Sequence, residues 1–244
     1  MVVGLELQVP YHNKKIFESF LAFLQDYKPD RLVGIGDHLD CPAPARWNRD
    51  TAEEYAGELQ KEVNQLKGLF GNIRDVYDGP FEVHEGNHER RIETYARTKA
   101  PAFASLECLS IRSLLDYDNF GIVELAAVAP LCRGWVTTHD FGGLLRVSSA
   151  YAGGTAMAGA RRLGKSVVMG HTHKLGHVQQ TVGGKILHGV ETGHCMDDKK
   201  AGYIAYPNWQ PGWAVIEYNK DHSVGVQLVN VSRAGKVAFD AYRA

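Results

Sequence analysis

The stretch Arg31-Leu32-Val33-Gly34-Ile35-Gly36-Asp37-His38-Leu39-Asp40 decides the fold. A short apolar run that stops at glycine and then presents an acid reads as a strand, with Asp37 at its C-terminal end, where the loops of open α/β sheets gather their binding groups. Upstream, Lys14 to Tyr27 carries Ile16, Phe17, Phe20, Leu21, Phe23 and Leu24 at helical spacing, and Pro29 follows its end. Val2 to Val9 reads as a first strand, so the chain opens strand, helix, strand. Downstream, Asn48 to Phe70 reads as a long exposed helix with Asp50 or Thr51 as N-cap and Gly71 just past its end. Strands are expected at Phe81 to Glu85, Val123 to Ala129, Gly134 to Thr138 and Ser166 to Met169, with a helix over Ser148 to Leu163. The stretch from Glu89 to about Leu115 is expected to form helices over the mouth of a site, as a specificity element. Apolar runs near His177 to Val182, Lys185 to Val190, Trp213 to Tyr218 and Val224 to Val231 suggest a β-rich closing sheet. Alternating strands and amphipathic segments imply layered α/β structure.

The chain has 244 residues and 44% hydrophobic character, enough for a substantial core in a single domain spanning 1–244. Its 27 basic and 28 acidic residues give a net charge of -1, without the basic excess that draws a protein onto long duplex DNA. Cys41, Cys108, Cys132 and Cys195 form no CxxC pair and read as reduced thiols. The opening MVVGLELQVPYHNKK has no basic region before its apolar run, and no apolar stretch reaches membrane-spanning length, so a soluble cytoplasmic protein is expected.

Four segments hold oxygen or nitrogen metal ligands: Gly36-Asp37-His38-Leu39-Asp40, Gly86-Asn87-His88-Glu89, Thr138-His139-Asp140 and Gly170-His171-Thr172-His173. Carboxylate and amide oxygens combined with imidazoles suit manganese, iron, zinc or nickel. Two such ions clamp both oxygens of an in-line displacement at phosphorus.

GD-x-x-D, GNH-E, a solitary histidine and GH-x-H, in this order and each after a strand, resemble the calcineurin-like metallophosphoesterase family over nearly the whole chain. With PYH near the start, arginines after GNHE, and TGH then NWQ late, the chain looks most like the compact phosphoesterases of phages and bacteria. The resemblance implies a four-layer α/β/β/α sandwich, two mixed β-sheets flanked by helices, holding two divalent metal ions, with manganese favoured. It makes Asp37 the carboxylate bridging both metals, with Asn87, His139 and His171 completing one site and His173 belonging to the other. His88 resembles the family's catalytic histidine, a general acid for the leaving oxygen, and Asp40 its orienting partner. The implied reaction is in-line attack by a metal-bound hydroxide on a small phosphodiester or nucleotide, 2′,3′-cyclic nucleotides above all, with nucleic-acid ends as a possible alternative.

One motif departs from the family. Its first element is D-x-H shortly before a proline, and here the matching residues are Glu6-Leu7-Gln8 before Pro10. Glu6 keeps a carboxylate on a longer stem, whereas Gln8 offers only a neutral carbonyl oxygen. The first metal site should therefore be the weaker. Either both sites work with one labile ion, the preferred reading, or one ion is held tightly and another arrives with substrate; a shift of the motif onto His12 fits less well, since His12 lies beyond Pro10. The degraded motif also leaves open a catalytically weak metal-binding scaffold.

Other residues have plainer readings beside functional ones. Arg90 and Arg91 would meet substrate phosphate, or simply be salt-bridged at a helix start, and Arg91 is the one taken as substrate-binding. Asn87 and His194, in Glu191-Thr192-Gly193-His194, are the other substrate-side candidates. His38 is either close to substrate or merely packed; His84, His177 and His188 read as sheet histidines. Trp209 and Trp213 would stack a base or finish the core, and Asp197 to Lys200 reads as a solvated loop. Sequence leaves the oligomeric state unknown.

Overall fold

The computed structural model describes residues 1–55, 58–200 and 206–239. Strand β1 (Val2–Gly4) leads to helix α1 (Lys14–Tyr27), β2 (Leu32–Gly34), α2 (Leu59–Val76), β3 (Phe81–His84), α3 (Arg90–Lys99), the single turn α4 (Ile111–Leu114) and β4 (Ile122–Leu125). Then follow β5 (Val128–Cys132), β6 (Trp135–Thr138), α5 (Gly154–Leu163), β7 (Ser166–Met169), β8 (Leu175–Val182), β9 (Lys185–Thr192), β10 (Gly212–Tyr218), β11 (Val224–Val231) and β12 (Val237–Ala238).

The strands form two mixed sheets. One has the order β12-β11-β10-β1-β2-β3-β4, parallel from β1 to β4 and antiparallel beyond; the other runs β5-β6-β7-β9-β8, parallel only at its centre. Because successive strand residues face opposite sides, neighbours serve different cores. Val2, Leu32, Trp213 and Val215 pack with Ile16, Phe20 and Leu24 of α1 and Leu66, Phe70 and Ile73 of α2. Their neighbours Val3, Val33, Ala214 and Ile216 meet Val168 and Val190 of the second sheet. On that sheet's far side, Val136, Val167, Met169 and Leu187 pack on Ala156, Met157 and Ala160 of α5. Helices, sheet, sheet and helix thus lie in succession, an α/β sandwich.

The structure revises several expected elements. β1 stops at Gly4, and residues 5–9 continue as an irregular segment whose Gln8 and Val9 amides donate to Asp37 and His38 carbonyls. No single helix spans Asn48 to Phe70: 3₁₀ turns occupy Arg46–Asn48 and Ala52–Tyr55, and α2 begins only at Leu59. That helix is not exposed, since Val63, Leu66, Phe70 and Ile73 form a buried stripe, and the stripe carries it straight through Gly71. The run expected as one strand over Val123 to Ala129 is two, with β4 ending the first sheet and β5 starting the second. Likewise α5 starts at Gly154 rather than Ser148. The late strands do not make one closing sheet; β8 and β9 complete the second sheet, and β10 to β12 the first. After α3, in the stretch expected over the mouth, Leu106 and Ile111 line a cleft with Glu85 and Glu124 that includes none of the expected ligands. No helix of the described residues is long and apolar enough to cross a membrane.

Trp213 is fully buried, edge-on to Phe20 at 5.0 Å and Phe23 at 5.3 Å between centroids. It therefore finishes the core and stacks on no ligand. Trp213→Ala should cost about 3–5 kcal/mol by denaturant unfolding, whereas Trp213→Phe, which also deletes an indole nitrogen without a partner, should cost far less. Equal losses would contradict this packing.

Candidate metal centre

Five strands that share a direction end at one edge of the sandwich, and each is followed by candidate ligands. β1 leads to Glu6 and Gln8, β2 to Asp37, β3 to Asn87 and His88, β6 to His139, and β7 to His171 and His173. Crowding at this edge forces unusual backbone: Gln8, Asp37, His171 and His173 all have positive φ, at 53°, 50°, 70° and 58°. Such conformations are disfavoured for side chains with a Cβ and persist where the surroundings over-determine them, which is characteristic of ligand clamps. The motif glycines answer the same crowding, since a methyl on Gly86 would overlap Asp37 Oδ1 and one on Gly170 would overlap Glu6 Oε1.

Among the described residues two groups of ligand atoms result, Asp37–His139–His171 and Glu6–Asp37–His173, each with its atoms mutually within 4.8 Å. Asp37 is common to both. In the first, His139 Nδ1 donates to the Ile35 carbonyl at 2.9 Å, leaving Nε2 facing Asp37 Oδ2 at 3.2 Å and Asn87 Oδ1 at 3.0 Å. His171 Nδ1 approaches the same Asn87 oxygen at 2.7 Å. Nε2 of His139 thus meets oxygen acceptors only, so a proton or a cation belongs there. Burial opposes a charge on His139, but Asp37 beside it prevails and raises its pKa to about 10. Asp37 behaves reciprocally: burial pushes its carboxyl up, and the charges of His139 and His88 pull it well below the usual range. For His171, burial and then the His139 charge lower the pKa.

The second group is built differently. One Glu6 oxygen accepts the His171 backbone N–H and the other lies 3.0 Å from His173 Nε2, so the longer stem lets Glu6 tie the β7 loop down as well as face the site. The Gln8 Nε2 amide lies 3.3 Å from Asp37 Oδ2 and 3.1 Å from His173 Nε2, while its Oε1 is buried without a partner. A half-turn about the amide's broad two-fold torsion exchanges the two atoms. The donor set of both groups, hard oxygens with imidazole nitrogens around a buried carboxylate, fits a borderline divalent cation. His12 belongs to neither group.

His88 stands beside the shared carboxylate. Its backbone N–H donates to Asp37 Oδ1 at 3.0 Å, its Nε2 is 3.7 Å from Asp37 Oδ2, and its Nδ1 lies 2.9 Å from Asp40 Oδ1 and 3.2 Å from the Asp40 carbonyl. Burial lowers the pKa of His88, but Asp37 and Asp40 together raise it above the ordinary value. Asp40 thus lies against the His88 ring through both its carboxylate and its backbone carbonyl.

Other candidates fall elsewhere. Arg91 Nη1 donates to the Asp40 carbonyl at 2.5 Å, and its guanidinium lies 4.6 Å over the Trp47 ring. Arg90 is paired with Asp140. His194 has no exposed surface, since Gly193 turns it inward behind His173 and Trp209; burial drops its pKa to about 3, so the expected substrate contact is not made. His38 is likewise packed, donating from Nδ1 to the Leu5 carbonyl beside Phe70. His84 bridges the two sheets through Thr137 at 2.9 Å, and His177 stacks on His188. Trp209 lies edge-on to His173 at 4.8 Å. Asp198 of the 197–200 loop pairs with Arg233.

Sequence reasoning missed the role of Glu89. Fully buried, it accepts the backbone N–H groups of Asp37 at 3.2 Å, Leu39 at 2.9 Å and Gly86 at 2.9 Å, fixing two ligand loops at once. Its place at the head of α3, where a carboxylate meets free amides, was the available signal. Glu191 does the same across the site, accepting from Thr155, Ala156 and the Thr172 hydroxyl.

No protein-family model matches the chain. The Gene 54 protein of Mycobacterium phage L5 is 37% identical over 230 residues, covering 91% of this chain and 90% of its own length. The Gene 54 protein of Mycobacterium phage D29 is 36% identical over 250 residues, covering 99% and 97%. A solved structure aligns over 93% of this chain and 97% of its own, with a TM-score of 0.48 and 12% identity.

A cation binding at His139 Nε2 must displace the proton there. Metal uptake at pH 8 should release close to one proton, read by calorimetry in buffers of different ionisation enthalpy, and His139→Ala should abolish the release. In the metal-free protein the stabilisation from the raised His139 pKa is fully present below about 6.5 and is lost as pH rises through about 10. An unfolding midpoint that climbs across that window would contradict the assignment.

Proposed function

For this chain, which belongs to the family of the mycobacteriophage Gene 54 proteins, we propose the activity of a metal-dependent phosphodiesterase of the four-layer, calcineurin-like kind. The observation that carries the reading is the pair of ligand groups sharing Asp37, with the Asp40-held imidazole of His88 against the same carboxylate. Divalent ions, with manganese favoured over iron, zinc or nickel, would supply Lewis acidity and an activated water at neutral pH when bound. Asp37, Asn87, His139 and His171 would hold one of them and Glu6, Gln8, Asp37 and His173 the other.

The chain's own part in the reaction rests on His88. Burial opposes a charge on its ring, but Asp37 and Asp40 raise its pKa above the ordinary value, which favours a proton on Nε2. That nitrogen faces the centre while Nδ1 faces Asp40, an arrangement for delivering the proton to a departing alkoxide. Asp40 acts through His88 by fixing the ring's tautomer and direction. Phosphodiesters fit better than monoesters: Gln8 offers only an amide oxygen and Glu6 is partly committed to the β7 loop, so the cation there would be held more weakly, and the smaller positive charge favours a monoanion whose leaving group needs protonation. Small diesters such as 2′,3′-cyclic nucleotides and short nucleic-acid ends are the substrates in view. Against a catalytically weak scaffold stands the His88–Asp40 pair, which a purely metal-binding protein has no use for.

With manganese, the protein should hydrolyse bis(p-nitrophenyl) phosphate faster than p-nitrophenyl phosphate; the reverse order would sink the diester preference. His88→Ala should lower kcat by about 10²- to 10⁴-fold at unchanged metal content, and loss of metal with loss of rate would return His88 to the ligand set.

A further inference from the structure

Beside the centre, and sharing Asn87 with it, lies a cleft of about 410 Å³ whose walls carry Arg46, Trp47, Arg49, Arg90 and Arg91 and no acidic residue. In a chain with a net charge of -1 this is a local concentration of positive charge. Two of these arginines are committed, Arg90 to Asp140 and Arg91 to the Asp40 carbonyl. Arg46 and Arg49 are exposed and form no salt bridge among the described residues, although Glu54 lies within electrostatic reach of Arg49. Trp47 is 57% exposed, whereas Trp135 and Trp213 are buried.

The indole stands on a hydrogen-bonded turn. Pro42, Pro44 and the 3₁₀ turn Arg46–Asn48 carry it; the Ala45 amide and the Asn48 side chain both donate to the Pro42 carbonyl, at 3.1 and 2.8 Å. Arg91 lies over the indole and touches Asp40, so the groove connects through one side chain to the residue that holds His88. An aromatic held on such a turn and flanked by guanidinium groups is the combination that stacks a base and neutralises the phosphate beside it.

We propose that this groove binds the nucleotide next to the scissile phosphodiester of a single-stranded nucleic acid, Trp47 stacking its base and Arg46 and Arg49 meeting its outer phosphate. This rests on the phosphodiesterase reading and narrows its substrate from small diesters to strand ends. Asn87 belongs to both places, so a strand with its reacting phosphate at the centre runs directly into the groove. A duplex does not fit this role, because its bases are already stacked on one another and present no free face to an indole.

The test separates binding from cleavage. Fluorescence anisotropy of labelled oligo-dT and oligo-U ten-mers in chelator reads the groove without any metal, and the two strands distinguish DNA from RNA. Trp47→Ala should weaken binding by about 5- to 100-fold, Trp47→Phe should restore most of it, and the Arg46→Gln, Arg49→Gln double variant should flatten the salt dependence by about 0.7 log units per contact removed. With manganese, the ratio of kcat/KM for the ten-mer to that for bis(p-nitrophenyl) phosphate should fall by a similar factor in Trp47→Ala. Equal affinity of the parent and Trp47→Ala for the strand, or equal affinity of the parent for a matched duplex, would overturn the groove and leave the phosphodiesterase standing. Trp47-dependent binding without hydrolysis of either substrate would overturn the phosphodiesterase and leave the groove.

Discussion

Everything at the reactive edge depends on where the Glu89 carboxylate finds its hydrogen bonds. It lies between the loop after β2 and the loop after β3, and accepts N–H groups from both, so neither Asp37 nor Asn87 can shift without the other. Each buried amide left without its acceptor would cost about 1–3 kcal/mol. The arrangement is held against an opposing force: burial, and then the nearby Asp37 charge, push the Glu89 pKa up to about 7. A carboxylate so placed serves geometry at the expense of stability. Glu191 and Glu6 repeat the device on the far wall, where they fix the head of α5 and the loop after β7.

Polar links likewise fix how the two sheets meet at the site. Between the sheets the contact is apolar, through Val3, Val33, Val168 and Val190, and apolar contact alone tolerates sliding. The polar links remove that freedom: His139 of the second sheet donates to Ile35 of the first, His84 reaches Thr137, and Arg31 at the opposite end bonds Glu82 and the Leu131 carbonyl. Packing brings the layers together, and these directional bonds set their register.

The parts of the site legible in sequence were those whose chemistry is local. Asp37, Asn87, His139, His171 and His173 each follow a short, almost continuously buried strand, and such a run, closed by glycine in every case but His139, is a local signal. What escaped was set by distant partners. Glu89 reads as an ordinary acid at a helix start until the β2 loop arrives beside it. His194 reads as a rim residue until the turn at Gly193, with φ of 73°, is seen to point it inward. The β4 to β5 run reads as one strand because nothing in its composition shows that Ala126 and Ala127 pass between sheets. Trp47 carries no sequence reading, because it lies just outside the run from Asn48 whose acidic and polar residues have helical composition; a 3₁₀ turn over Arg46–Asn48, after Pro42 and Pro44, presents it instead.

The same contrast bears on the asymmetry of the centre. In the Asp37–His139–His171 group, backbone bonds orient the side chains: Ile35 aims His139, and Asn87 is fixed through the Glu89 shell. In the Glu6–Asp37–His173 group the supports are ambiguous. Glu6 divides its carboxylate between a backbone amide and His173, and Gln8 satisfies Asp37 and His173 with an N–H while its own oxygen is buried without a partner. In this arrangement the Gln8 amide does for the second group what a cation would do, placing positive hydrogen between the acceptors. A cation entering there would have to turn the amide and take over those contacts, whereas at the first group it would displace the proton of His139 Nε2. The two groups would therefore differ in how they take up a cation, and on the second side the difference comes from Gln8, whose ability to serve either as donor or as ligand has no counterpart in an imidazole fixed by its second nitrogen.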